Sequence, residues 1–125
     1  MKNIGLIGCG NIAETYFRAQ EYFNNINFVA CADINLDAAK KTAEQYNIIP
    51  LSVDEILTDK NVDIILNLTI PQAHYEISKR ALESNKHVYC EKPMSVKFDE
   101  AKELLNLAKK NSLYIGNAPD TFLGG

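Results

Sequence analysis

The sequence predicts an α/β chain, folded as a doubly wound parallel sheet with helices on both faces. Three observations carry that expectation. Short apolar runs alternate with stretches of helical periodicity along all 125 residues, an order that calls for parallel strands joined by right-handed crossovers. The run Val62-Asp63-Ile64-Ile65-Leu66-Asn67-Leu68 is almost continuously apolar, as a strand covered on both faces should be. The first apolar run enters Gly8-Cys9-Gly10-Asn11-Ile12-Ala13, a glycine-spaced turn with a helical pattern behind it.

The elements follow in order. Residues 3–7 form the first strand and residues 11–23 the first helix, whose leading N–H groups face any anion held at the turn. Residues 27–32 form a second strand. A helix over 36–46 follows, because Ala39, Thr42, Ala43 and Tyr46 stand at i, i+3, i+4 and i+7 and so share one face. A brief extended piece lies around Ile49, Pro50 and Leu51. Ser52 with Glu55 three residues later is a capping box for a short helix through Leu57. Residues 62–68 are expected at the centre of the sheet. A helix from about 72 to 84 leads to a strand over 87–90. The long helix beyond it carries Ala101, Leu104, Leu105 and Ala108 on one face, and Lys109-Lys110 complements the negative end of its dipole. Residues 113–116 form the last strand.

The glycine-spaced turn carries the chemistry. Gly8 permits the tight turn, Gly10 lets backbone approach a pyrophosphate, and the small Ala13 lets the first helix lie against its strand. Asp33 closes the second strand 20 positions after Ala13, the separation expected of the acid that binds an adenosine ribose. It could instead cap the helix over 36–46. Asn35 can cap that helix equally well, which leaves Asp33 to the ribose. A carboxylate there accepts from a ribose 2′-hydroxyl and repels a 2′-phosphate, so NAD is the expected cofactor ahead of NADP.

Composition narrows the class. A hydrophobic share of 46% suffices for one core. The net charge of −3 and the lack of a long Lys/Arg run argue against a nucleic-acid surface. No apolar stretch approaches the ~20 residues of a membrane span, and Met1 leads directly into a strand, so a cytoplasmic protein without a membrane partner is expected. Cys9, Cys31 and Cys90 form no C-x-x-C pair and are odd in number, which fits neither a disulfide framework nor a zinc pattern. No metal site is expected.

Two further stretches lie after strands of the same sheet: Asn67-Leu68-Thr69-Ile70-Pro71-Gln72-Ala73-His74 and Cys90-Glu91-Lys92-Pro93-Met94-Ser95. With the glycine turn they resemble the Gfo/Idh/MocA family, the glucose-fructose oxidoreductase and inositol dehydrogenase group of NAD(P)-dependent sugar and polyol oxidoreductases. Glu91-Lys92-Pro93 is the most specific part. The resemblance implies that Lys92 lies beside the reacting carbon and substrate hydroxyl as the catalytic residue of this part of the chain. It further implies that Glu91 contributes near the nicotinamide ribose, and that Thr69, Pro71 and His74 shape the loop beside the cofactor. Here Ile70 separates Thr69 from Pro71, and Gln72 stands where the family usually has Asn.

The tail from Ala118 to Gly125 resembles the entry to that family's second domain. Residues 1–118 are therefore expected to be a Rossmann domain that binds NAD(P), and residues 119–125 the start of a link to a substrate and oligomerisation domain. By that reading the 125-residue chain binds cofactor but turns over no sugar, and the longer protein is a homo-oligomer. Two alternatives stand beside the dehydrogenase: a non-catalytic NAD(P)-binding sensor, and a methyltransferase-like fold in which Glu91-Lys92-Pro93 has no role.

Overall fold

In the computed structural model, residues 2–8, 26–69, 71–90 and 98–117 are described. Their strands are β1 (Lys2–Ile7), β2 (Ile26–Ala32), β3 (Ile49–Pro50), β4 (Ile64–Asn67), β5 (His87–Cys90) and β6 (Ile115–Asn117), all parallel, in the order β3-β2-β1-β4-β5-β6. Their helices are α1 (Leu36–Tyr46), α2 (Val53–Thr58), α3 (Pro71–Glu83) and α4 (Phe98–Lys110). The chain moves outward from β1 through β2 to β3, returns to the other side of β1, and moves outward again through β4, β5 and β6. The order thus reverses between β1 and β4, where a doubly wound sheet opens a crevice at its carboxyl edge. The predicted first helix, over 11–23, lies outside the described residues.

Alternating side chains separate two core layers. Ile7, Ile65, Val88 and Cys90 of the strands pack with Ile56 and Leu57 of α2, Leu82 of α3, and Leu104 and Ala108 of α4. On the other face Ile4, Leu6, Phe28, Cys31 and Leu66 meet Ala43 and Tyr46 of α1. Successive strand residues point to opposite faces, so β1 and β4 each feed both layers. That double burial explains the near-continuous apolar character of their sequences. Gly5 lies under α2: a Cβ there would stand 2.9 Å from Ile56 Cδ1 and 3.0 Å from Val62 Cγ1.

Local signals set the helix ends. Asn35 Oδ1 accepts from the N–H groups of Asp37 and Ala38 at 3.0 and 3.3 Å, which starts α1 at Leu36 as predicted. Asn47 ends it in the left-handed region, at φ 57°. Ser52 Oγ accepts from Glu55 N–H at 3.0 Å while Glu55 Oε1 accepts from Ser52 N–H at 2.8 Å, completing the predicted capping box. Pro71 opens α3, a position where its missing N–H costs nothing.

Two expectations need correction. Strand β4 spans Ile64–Asn67 rather than 62–68, because Val62 N–H turns back to Asp59 O at 3.1 Å. Leu68 still extends the ladder, donating to Ile7 O at 2.8 Å. Strand β6 begins at Ile115 rather than Leu113: Leu113 N–H is committed to Ala108 O at 2.8 Å, closing the end of α4. Within the predicted face of α4, Leu104 and Ala108 are buried and Leu105 is 50% exposed. Among the described residues, no helix is long and apolar enough to cross a membrane.

Candidate functional site

A cavity of about 290 Å³ opens at the carboxyl edge beside the point of reversal. The ends of three strands contribute to its lining, with Ile7 at the end of β1 and Gly8 after it, Asp33 and Ile34 after β2, and Leu68 and Thr69 after β4; Val53 of α2 and Ala73 and Ile77 of α3 complete it. Gly8, Asp33 and Thr69, far apart in sequence and each singled out from it, are thereby brought together.

Gly8 adopts φ +101°, a conformation that L side chains rarely take. Its N–H donates to Ala32 O at 2.9 Å, tying the end of β1 to the end of β2. A Cβ at this position would lie 2.7 Å from both the carbonyl carbon and the oxygen of Leu68, and 3.0 Å from Thr69 N. The glycine therefore serves the tight turn and also admits the loop that follows β4.

Asp33 Oδ1 accepts from Asn35 N–H at 2.8 Å. Asn35 supplies the cap of α1, and Asp33 is among the residues that line the cavity. Ile34 beside it is 96% exposed. Sequence reasoning passed over this residue, although a bulky apolar side chain directly after a strand-end acid was there to be noticed.

Thr69 is held by a buried neighbour. Its N–H and its hydroxyl both donate to Asn67 Oδ1, at 3.2 and 2.6 Å. Asn67 is fully buried and donates through Nδ2 to Ser78 Oγ of α3 at 2.9 Å. An amide at the end of an otherwise apolar central strand was the visible signal for this group.

Pro71 and His74 fall in the first turn of α3; their side chains are outside the described residues, as are Cys9, Gly10, Asn11, Ile12, Ala13, Glu91 and Lys92. Glu91 and Lys92 follow in sequence on Cys90, the residue of β5 that pairs with Asn67 of β4. Cys31 and Cys90 are buried thiols, donating to Ala39 O at 3.3 Å and Gly116 O at 3.6 Å. Among the described residues, no three His, Cys, Asp or Glu side chains gather as a metal site would require.

A larger cavity, about 500 Å³, lies at the amino edge, among Lys2, Lys60, Asp63, Lys86 and His87. Here Lys86 is only 5% exposed, and its ammonium donates to Asp59 O at 2.6 Å and Val62 O at 2.7 Å. Burial lowers the Lys86 pKa, against the opposing pull of Asp59 and Asp63. In a parallel sheet the crossover helices run antiparallel to the strands, so this edge collects helix carbonyl ends and favours cations.

The family described as "Oxidoreductase family, NAD-binding Rossmann fold" matches residues 2–118. Glucose-6-phosphate 3-dehydrogenase of Bacillus subtilis is 32% identical over 90% of this chain and 32% of its own length. Inositol 2-dehydrogenase of Salmonella typhimurium is 26% identical over 86% of the chain and 33% of its own length. A 3-ketoreductase from Actinomadura kijaniata, solved with NADP and TDP-benzene, superposes with a TM-score of 0.86 at 28% identity, covering 93% of this chain and 36% of that one. The chain thus spans about a third of the length of these relatives. It belongs to the Gfo/Idh/MocA oxidoreductase family, within that family's NAD-binding Rossmann fold.

Proposed function

We propose that this chain is the cofactor-binding part of an NAD(P)-dependent oxidoreductase that takes a hydride from a hydroxyl-bearing carbon of a sugar, polyol or related compound, or delivers one to the corresponding carbonyl carbon. The observation that carries the reading is the meeting of Gly8, Asp33 and Thr69 around one cavity at the sheet's point of reversal. The relatives named inositol 2-dehydrogenase and glucose-6-phosphate 3-dehydrogenase support the substrate class. Residues 1–118 form the dinucleotide-binding domain and residues 119–125 begin the link to a substrate domain, so the longer protein, a homo-oligomer in the cytoplasm, is the active species.

The residues present fit a dinucleotide. The Gly8 turn brings three strand ends within reach of one ligand. An ionised carboxylate accepts about four hydrogen bonds, so the bond from Asn35 N–H is compatible with Asp33 also accepting from a ribose. Neither Ile34 nor Asn35 supplies a cation for a 2′-phosphate, and the preference is accordingly for NAD over NADP. From the sequence motifs we assign Cys9, Gly10, Asn11, Ile12 and Ala13 to binding of the pyrophosphate, and Pro71, His74 and Glu91 to binding of the nicotinamide half.

The bound cofactor supplies the hydride chemistry. The chain's own contribution to that chemistry is Lys92. Loss of hydride from a secondary alcohol requires the hydroxyl proton to pass to a base, a role we assign to the substrate domain of the longer protein, while the Lys92 ammonium donates to the oxygen on which negative charge develops. Replacing Lys92 by Ala in the full-length protein is expected to leave NAD affinity nearly unchanged and to cut turnover by roughly 10² or more. Near-normal turnover, or loss of cofactor binding instead, would remove the catalytic role. A wild-type protein that binds NAD but oxidises no sugar or polyol would favour the sensor.

A further inference from the structure

We propose that Asn67 is a positioning residue for the cofactor, one that acts through Thr69 by fixing the direction of the threonine hydroxyl. The proposal rests on the reading of the carboxyl-edge cavity as a dinucleotide site. The geometry allows one assignment of the hydrogens. A backbone N–H can only donate, so the Asn67 atom facing Thr69 N at 3.2 Å is the carbonyl oxygen Oδ1. The same oxygen lies 2.6 Å from Thr69 Oγ1, and since it carries no proton the hydroxyl must be the donor. The amide nitrogen is left for Ser78 Oγ at 2.9 Å, which it meets as a donor.

This chain of three bonds gives the site a polarity. Thr69 lines the cavity with its only hydroxyl proton turned inward, so toward a ligand its oxygen acts purely as an acceptor. A group with a proton to give, such as a ribose hydroxyl or a carboxamide NH2 of the dinucleotide, is matched; a phosphate oxygen is not. The orientation cannot relax cheaply, because Asn67 is fully buried and anchored to α3 through Ser78. The same bonds hold the Leu68–Thr69 peptide against Gly8, where the space for a Cβ is closed at 2.7 Å. Asn67 therefore sets both the direction of one ligand contact and the position of the loop that makes it.

The test is a set of substitutions in the full-length protein, read by calorimetric titration with NAD+ and by urea denaturation. Thr69→Val keeps the volume and loses the acceptor, and is expected to raise Kd about tenfold, the scale of one hydrogen bond. Thr69→Ser is expected to restore near-wild-type affinity. Asn67→Leu should also raise Kd about tenfold, and the double variant Asn67→Leu/Thr69→Val should bind no more weakly than either single variant, since both act on one contact. Additive losses, or a denaturation midpoint that falls while Kd stays constant, would overturn the positioning role. If Asn67→Leu fails to fold, equal affinities for Thr69→Val and Thr69→Ser would overturn the acceptor assignment by themselves. The 3-acetylpyridine analogue of NAD+, which lacks the carboxamide N–H groups, identifies the donor: its affinity is indifferent to Thr69→Val if the carboxamide donates and sensitive if a ribose hydroxyl does. A wild-type protein that binds no dinucleotide at all would instead remove the reading of the cavity on which the proposal stands.

Discussion

The two edges of the sheet are built from the same strands and solve opposite electrostatic problems. At the amino edge the larger cavity surrounds a lysine already in place: Lys86 is buried, and its ammonium is bonded to the carbonyls of Asp59 and Val62. At the carboxyl edge the smaller cavity is lined by a glycine in a positive-φ turn, a carboxylate and a threonine hydroxyl pinned by a buried amide. The difference teaches that size is a poor guide to the ligand. The amino edge collects carbonyl ends and supplies its own cation, whereas the carboxyl edge gathers loops from strands on both sides of the reversal.

The largest effect that would break this contrast is expected at Gly8. Gly8→Ala places a Cβ 2.7 Å from the Leu68 carbonyl, at a φ of +101°. Strain of this kind costs on the order of 1–3 kcal/mol, and the displaced Leu68–Thr69 peptide should weaken dinucleotide binding by roughly tenfold or more. Calorimetric titration of the variant checks it. Unchanged affinity would mean that the loop after β4 and the turn after β1 do not work as one site.

A smaller effect, at the opposite edge, is expected from Lys86→Met. The substitution keeps the apolar stem and removes two charge-assisted bonds, for a loss of about 2 kcal/mol in urea denaturation, with cofactor affinity unchanged. The wild type also carries a pH signature. The folded-state pKa of Lys86 lies below that of the unfolded chain because burial disfavours the charged form. Between those two values the unfolded chain binds more protons, so stability rises with pH through that window, up to the ordinary lysine range. The Met variant should lack this rise. A variant that unfolds at the same urea concentration as the wild type, with the same pH profile, would show that Lys86 is not the internal cation of this edge.

The contrast also marks what was legible in the sequence. Elements fixed by local chemistry could be read closely: α1 begins after the Asn35 cap and α2 after the Ser52 and Glu55 box, as the residues at those positions dictate. Gly8, Asp33 and Thr69 could be found because strand ends in a parallel sheet are where ligands gather. The partners across the fold were hidden. Nothing local to Asn67 announces Ser78 eleven residues away, and Lys86 reads as an ordinary turn lysine until β4 and β5 bring it to the carbonyls of Asp59 and Val62. The misplaced start of β6 has the same origin. Leu113 suits a strand by its side chain, but its N–H is taken by Ala108 at the end of α4.

The most direct test of the account is to map backbone amide chemical shifts of the isotopically labelled protein during titration with NADH. The predicted result is saturable perturbation at Gly8, Asp33, Ile34 and Thr69, with Lys60, Asp63 and Lys86 unmoved. Perturbation centred on Lys60 and Lys86, with Gly8 and Asp33 silent, would contradict the assignment of the carboxyl edge as the dinucleotide site.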